Sequence, residues 1–139
     1  MSEEKTVELE DLIGDHVLSG VDFDSTKVSG WNGFEDCQVI NFVLDDKTYT
    51  AIEDPGDGYR SSMDKLFESG VEVKNMFAGQ PVFCSMRPES QYGKDRILDM
   101  LDKSTGKVVL SVGTDDRDGY YPVWVADFNP ENMAINSGF

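Results

Sequence analysis

The chain has 139 residues and a formal net charge of −15, from 27 acidic against 12 basic side chains. That length suits one domain with one core, residues 1–139, with 1–5 and 129–139 read as loosely attached termini. A charge of this size and sign repels nucleic acid and anionic membrane and favours basic partners, and 39% hydrophobic content argues for a folded chain rather than disorder.

The acidity is uneven. Residues 1–57 carry 15 acidic side chains against only Lys5, Lys27 and Lys47. Acidity also keeps a protein soluble, which is its commoner use. The start, Met1-Ser2-Glu3-Glu4-Lys5, lacks the apolar core of a signal peptide, and no apolar run reaches the length of a membrane span. Cys37 and Cys84 sit in apolar stretches and read as buried free thiols in a reducing compartment.

Thr6–Ile13 opens with a capping Thr and places Leu9, Leu12 and Ile13 on one face, which predicts a short amphipathic helix. His16–Phe23 alternates and predicts a strand. His16 is the only histidine, and in that position it reads as structural rather than catalytic. Asp24–Asp36 reads as a polar loop whose Trp31 and Phe34 either tuck into the core or anchor a partner. Val39–Leu44 and Thr48–Ile52 suit two strands, with Asp45-Asp46 as a tight turn between them.

Pro55, Gly56 and Gly58 end the second of these strands. Ser61, with Asp64 three residues on, then caps a short helix over Ser62–Ser69 that Gly70 stops. Val71–Phe77 predicts a strand, Ala78-Gly79-Gln80-Pro81 a turn, and Val82–Met86 another strand. Ile97–Asp102 and Lys107–Gly113 form a hairpin around Lys103-Ser104-Thr105-Gly106, with Val108, Leu110 and Val112 sharing a face. Pro122–Phe128 is the last strand, and Met133 and Ile135 in the tail are placed to dock. The pattern predicts an α+β, mainly antiparallel β domain of about eight short strands curled into a barrel or sandwich, with about two short helices.

Two loops hold the densest polar groups. Glu53, Asp54, Asp57, Tyr59 and Arg60 lie on the connection from a strand to a helix start, a place where a rigid scaffold presents free N–H groups. Asp115, Asp116, Arg117, Asp118, Tyr120 and Tyr121 lie on the other. Forked guanidinium donors on Arg60 and Arg117, with nearby tyrosines to stack, suit a nucleotide phosphate and base. The bland reading has Arg60 stapling its loop to Asp54 or Asp57 and the tyrosines packing on an edge strand. Asp116, Asp118 and Asp127 fall at the first, third and twelfth positions of a calcium loop, but Tyr121 stands where the sixth-position glycine is required. No zinc spacing, phosphate-binding glycine motif or nucleophile elbow is present, so neither metal, cofactor nor catalytic residue is assigned.

Several phrases are more specific: LDDKTY at Leu44–Tyr49, AIEDPGDGYRSSM at Ala51–Met63, TGKVVLSVGT at Thr105–Thr114 with Asp115, YYP at Tyr120–Pro122 and PENMAIN at Pro130–Asn136. Together they resemble a family of small acidic proteins encoded by tailed phages and prophages, a domain of unknown function. The resemblance covers most of the chain beyond His16 and brings no catalytic residues with it. It implies the host bacterial cytoplasm during infection and, for a small non-enzymatic phage protein, antagonism of host defence. Three functions follow as expectations. The first is an inhibitor whose acidic surface blocks a basic, nucleic-acid-binding host protein, of anti-CRISPR or anti-nuclease type. The second is a sponge for a nucleotide immune signal, within one chain or across a homodimer. The third, an enzyme, has the least support.

Overall fold

Alternating apolar side chains dictate the architecture, because strand residues two apart share a face. A computed structural model of the chain describes residues 5–30, 33–53, 66–88, 96–115 and 123–134. These form nine strands: β1 Lys5–Val7, β2 Gly14–Gly30, β3 Gly33–Leu44, β4 Lys47–Ile52, β5 Leu66–Glu68, β6 Met76–Met86, β7 Arg96–Asp102, β8 Val108–Asp115 and β9 Val123–Phe128. All pair antiparallel in one sheet, in the order β1-β5-β4-β3-β2-β6-β7-β8-β9.

The expected barrel or sandwich is replaced by a single open sheet. Among the described residues β1 and β9 remain its two edges. The sheet closes its core by coiling instead. Leu18, Val21, Ile40, Phe42, Leu44, Tyr49, Ala51, Val82, Cys84, Leu98, Met100, Leu110, Val112 and Trp124 join one buried cluster on the inner face. Phe77 of β6 and Phe128 of β9 stack at 6.1 Å between ring centroids, although three strand spacings, roughly 14 Å in a flat sheet, separate their strands. Phe42 and Tyr49, cross-strand partners, stack at 5.8 Å. Each fully buried large side chain of this cluster contributes about 1.5–3 kcal/mol.

The ends of the core are plugged by single turns. Both helices of the sequence reading shrink or vanish among the described residues. Leu9–Leu12 is one 3-10 turn, opened by Glu8 N–H donating to Asp11 Oδ2 at 3.2 Å; it buries Leu9 and Leu12, while Ile13, expected on the same face, is exposed because the chain is already extended there. Leu66–Glu68, read as helical, is strand β5, because Leu66 pairs with Val7 and Phe67 with both Thr6 and Thr50. Residues 62–65 lie outside the described residues. A second 3-10 turn, Pro130–Asn132, follows β9 and seats Met133 in the core.

The Asp45-Asp46 turn forms as expected: φ is +53° and +67°, the pair of left-handed conformations that matches a tight hairpin to the strand twist. The presumed loop 24–36 is instead a two-stranded ribbon, with Asp24–Gly30 paired against Gly33–Val39. It runs past the end of β4, whose last residue pairs with Val39. Asp24, Ser25 and Thr26 on one strand and Asp36 and Gln38 on the other are exposed, so polar residues dominate the described part of the ribbon and hydropathy gave no sign of it. The predicted turn at 78–81 is also strand: β6 runs through Pro81, which lies next to an irregularity where two steps on β2, Leu18 to Gly20, face four on β6, Gln80 to Met76. On β8 a bulge opposite Met100 and Leu101 turns Val109 into the core and leaves Val108 half-buried, breaking the predicted Val108–Leu110–Val112 face.

The outer face of β2 and β3 is covered by residues 69–75. Val73 is buried there, and a Cβ at Gly20 would come within 3.0 Å of Val73 Cγ1 and 3.4 Å of Val43 Cγ2, so glycine lets this segment pack closely. Asp22 holds the segment by accepting the backbone N–H groups of Lys74 and Asn75.

Candidate functional site

Of the first predicted loop, Glu53 is described, and its role is local. Gln38 N–H donates to Glu53 Oε1 at 3.2 Å, and Glu53 N–H to Gln38 O at 2.9 Å, which extends the β3–β4 ladder by one step. Asp54, Asp57, Tyr59 and Arg60 lie outside the described residues. Of the second loop, Asp115 is half-buried at the end of β8, opposite Val123, and Asp116, Arg117, Asp118, Tyr120 and Tyr121 lie outside the described residues. The stems diverge. β4 runs parallel to β2 and β8 antiparallel to it, so Glu53 and Asp115 leave at opposite ends of the strand array.

What the described residues do bring together is acidity at the β3–β4 turn and the start of β2. Asp45 Oδ1 accepts Val17 N–H at 2.9 Å, while Asp45 N–H donates to Val17 O at 2.9 Å, docking the turn onto β2. His16 joins this turn to the first 3-10 turn: Nδ1 meets Asp45 Oδ2 at 2.5 Å and Nε2 meets Leu12 O at 2.8 Å. Each ring nitrogen thus faces an acceptor oxygen, a carboxylate on one side and a backbone carbonyl on the other. Burial works to raise the Asp45 carboxyl, but the His16 and Val17 hydrogen bonds, helped by Lys47, outweigh it and hold it below the usual carboxylate range. His16 thus ties the start of β2 to both turns.

Exposed acids surround this joint. Asp46 is exposed and makes no hydrogen bond or ion pair among the described residues, while Asp15 pairs with Lys103 at 3.1 Å and Glu10 with Arg96 at 2.5 Å. Two of the exposed cations are therefore already matched. An open groove of about 440 Å³ lies against Val17, Ser19, Asp45, Asp46 and Gly79. A second, of about 270 Å³, lies where Phe23 and Val71 approach Asp24 and Glu72.

Other carboxylates serve the fold. Asp99 accepts Arg87 Nε at 3.1 Å and Nη2 at 2.8 Å in a forked pair, and Ser111 Oγ at 2.7 Å. Among the described residues no group of three or more His, Cys, Asp or Glu side chains is placed to hold a metal ion, and no helix is long and apolar enough to cross a membrane.

Fold and surface together define a class: an open, coiled antiparallel sheet that presents carboxylates on its outer side. No protein-family model, curated protein or solved structure matches the chain.

Proposed function

We propose that this chain is a non-enzymatic, phage-encoded accessory protein that binds a basic, nucleic-acid-binding host protein in the bacterial cytoplasm and blocks its nucleic-acid groove. The observation that carries this reading is the exposed acidic joint of β2 with the β3–β4 turn, Asp15, Asp45 and Asp46, within the part of the sequence that holds most of the excess negative charge. Carboxylates held on a rigid sheet imitate the phosphates of a nucleic-acid backbone in sign, and they steer a cationic partner at long range. The nucleotide-sponge alternative gains nothing from the divergent stems at Glu53 and Asp115.

The test is displacement. Tagged protein is used to recover host proteins, each captured nucleic-acid-binding protein is purified, and its complex with labelled DNA or RNA is challenged with this chain. Release of the nucleic acid at stoichiometric amounts is the expected result. Capture of no basic protein, or capture without release, overturns the reading.

A further inference from the structure

Among the described residues the outer face of the sheet is covered on two sides and bare between them. On one side residues 69–75 lie over β2 and β3 and bury Val73. On the other, the side chain of Arg87 reaches across the outer face of β7 and β8 to Asp99 and Ser111. Between them the register aligns Val17 with Pro81, Asp15 with Phe83, and Phe83 with Leu101. Directly opposed residues share a face, so these side chains form one strip across β2, β6 and β7. Val17 is 43% and Phe83 45% exposed, and Pro81 is exposed beside them. Their inward neighbours His16, Val82 and Cys84 are covered, so the strip is the outer half of a regular alternation and not a frayed end.

The rim of this strip is mainly acidic. Asp15 lies at one end, next to Phe83, and Asp45 and Asp46 lie at the other, lining with Val17 the groove of about 440 Å³. Among the described residues Lys103 and Lys47 also reach the rim: Lys103 is matched by Asp15, and Lys47 acts on Asp45. An apolar centre with a polar rim is the anatomy of a protein interface. The rim sets what can cover it: an aliphatic or aromatic side chain alone would leave the Asp46 carboxylate facing it without a partner among the described residues, and an acidic partner would be repelled.

We propose that this strip is the docking surface for a partner segment in which a large apolar residue is flanked by lysine or arginine. The apolar side chain covers Pro81 and Phe83. A neighbouring lysine or arginine lays its aliphatic stem along Val17 and Gly79 and its charged head on Asp46 and Asp45. The proposal rests on the acidic-inhibitor reading and locates its contact.

The experiment is an amide-shift titration of the isotopically labelled full chain with a synthetic peptide of alternating lysine, arginine and leucine, beside one in which glutamate replaces the basic residues. The expected result is a response to the basic peptide confined to Val17, Ser19, Asp46, Gly79 and Phe83. Asp46→Asn keeps the turn, since asparagine adopts its left-handed geometry, and Phe83→Ser changes an exposed position. Each is expected to weaken binding by at least about tenfold with an unchanged melting temperature. A salt-sensitive response elsewhere, for instance around Asp24 and Glu72, overturns the strip while leaving the acidic-surface reading intact. No response to the basic peptide, or an equal response to the acidic one, overturns both.

Discussion

Asp102 shows how a carboxylate can be spent on structure in an acidic protein. It is 1% exposed at the end of β7 and accepts three backbone N–H groups: Ser104 at 2.8 Å, Thr105 at 3.1 Å and Ala134 at 2.9 Å. Burial alone would raise its carboxyl, but the three donors together outweigh burial and hold it below the usual range. One oxygen thus shapes the β7–β8 turn and the other clamps the C-terminal segment. Asp102→Asn turns an amide N–H₂ toward one of these donors and is expected to cost about 1–3 kcal/mol in denaturant unfolding at pH 7. The sign with pH follows from the lowered native value. The unfolded carboxyl takes up its proton first, so this stabilisation is complete above the ordinary aspartate range near pH 4 and fades as the pH falls further. The gap between native protein and variant should be constant from pH 7 to 5 and shrink below about pH 4; a gap that widens in acid would refute the account of this residue. Cys84 is the converse case. Burial first, then the charges of Asp45 and Asp15, push its thiol up to about 12. A thiol that is buried and protonated does not attack, so iodoacetamide should label Cys84 only in denaturant, as read by peptide mass mapping.

At the scale of elements, the His16 joint ties a 3-10 turn, a strand and a hairpin turn into one unit. His16→Gln and Asp45→Asn should each destabilise by about 1–3 kcal/mol, and the double variant by clearly less than their sum, since either change breaks the same contact. Additive costs in a double-mutant cycle would show that the two side chains act separately. Glu10 and Arg96, about half exposed, give a contrast: Arg96→Ala should cost under about 1 kcal/mol. Legibility follows the same lines. The turn at Asp45-Asp46 and the hairpin around Ser104 were readable because turn residues stood between alternating runs. Leu66-Phe67 was misread because two adjacent apolar residues fit a helix face and a strand equally well, and the pairing of Leu66 with Val7 and of Phe67 with Thr50 decides between them. Pro81 was misread because proline usually marks a turn, whereas here it sits next to a bulge. The acidity of the candidate surface was legible residue by residue. The strip of Val17, Pro81 and Phe83 was not, because it exists only through the β2–β6 register, which joins segments far apart in the chain.

For the whole molecule, an open sheet with one inner core depends on what seals its ends. Asn129–Ala134 is held by Asn129 N–H to Val109 O at 2.6 Å, Thr105 Oγ1 to Asn132 O at 2.8 Å and Asn132 Nδ2 to Val108 O at 2.6 Å, and Met133 docks in the core as expected. Met133→Ala should therefore cost about 2–5 kcal/mol, a core-sized loss at a position close to the chain end; a thermal melt within about a degree of the parent would show that the plug is dispensable. The coiled sheet leaves its outer side to the carboxylates, and a net charge of −15 makes their field long-ranged at low ionic strength. The proposal that this field is the functional feature meets its most direct test in the affinity of the chain for any host protein recovered with it, measured by titration at about 50 and 300 mM salt. Exposed charges are screened over roughly 8–10 Å at physiological ionic strength, so the account predicts an affinity at least about tenfold weaker at the higher salt, carried mainly by slower association. An affinity unchanged across that range would contradict it.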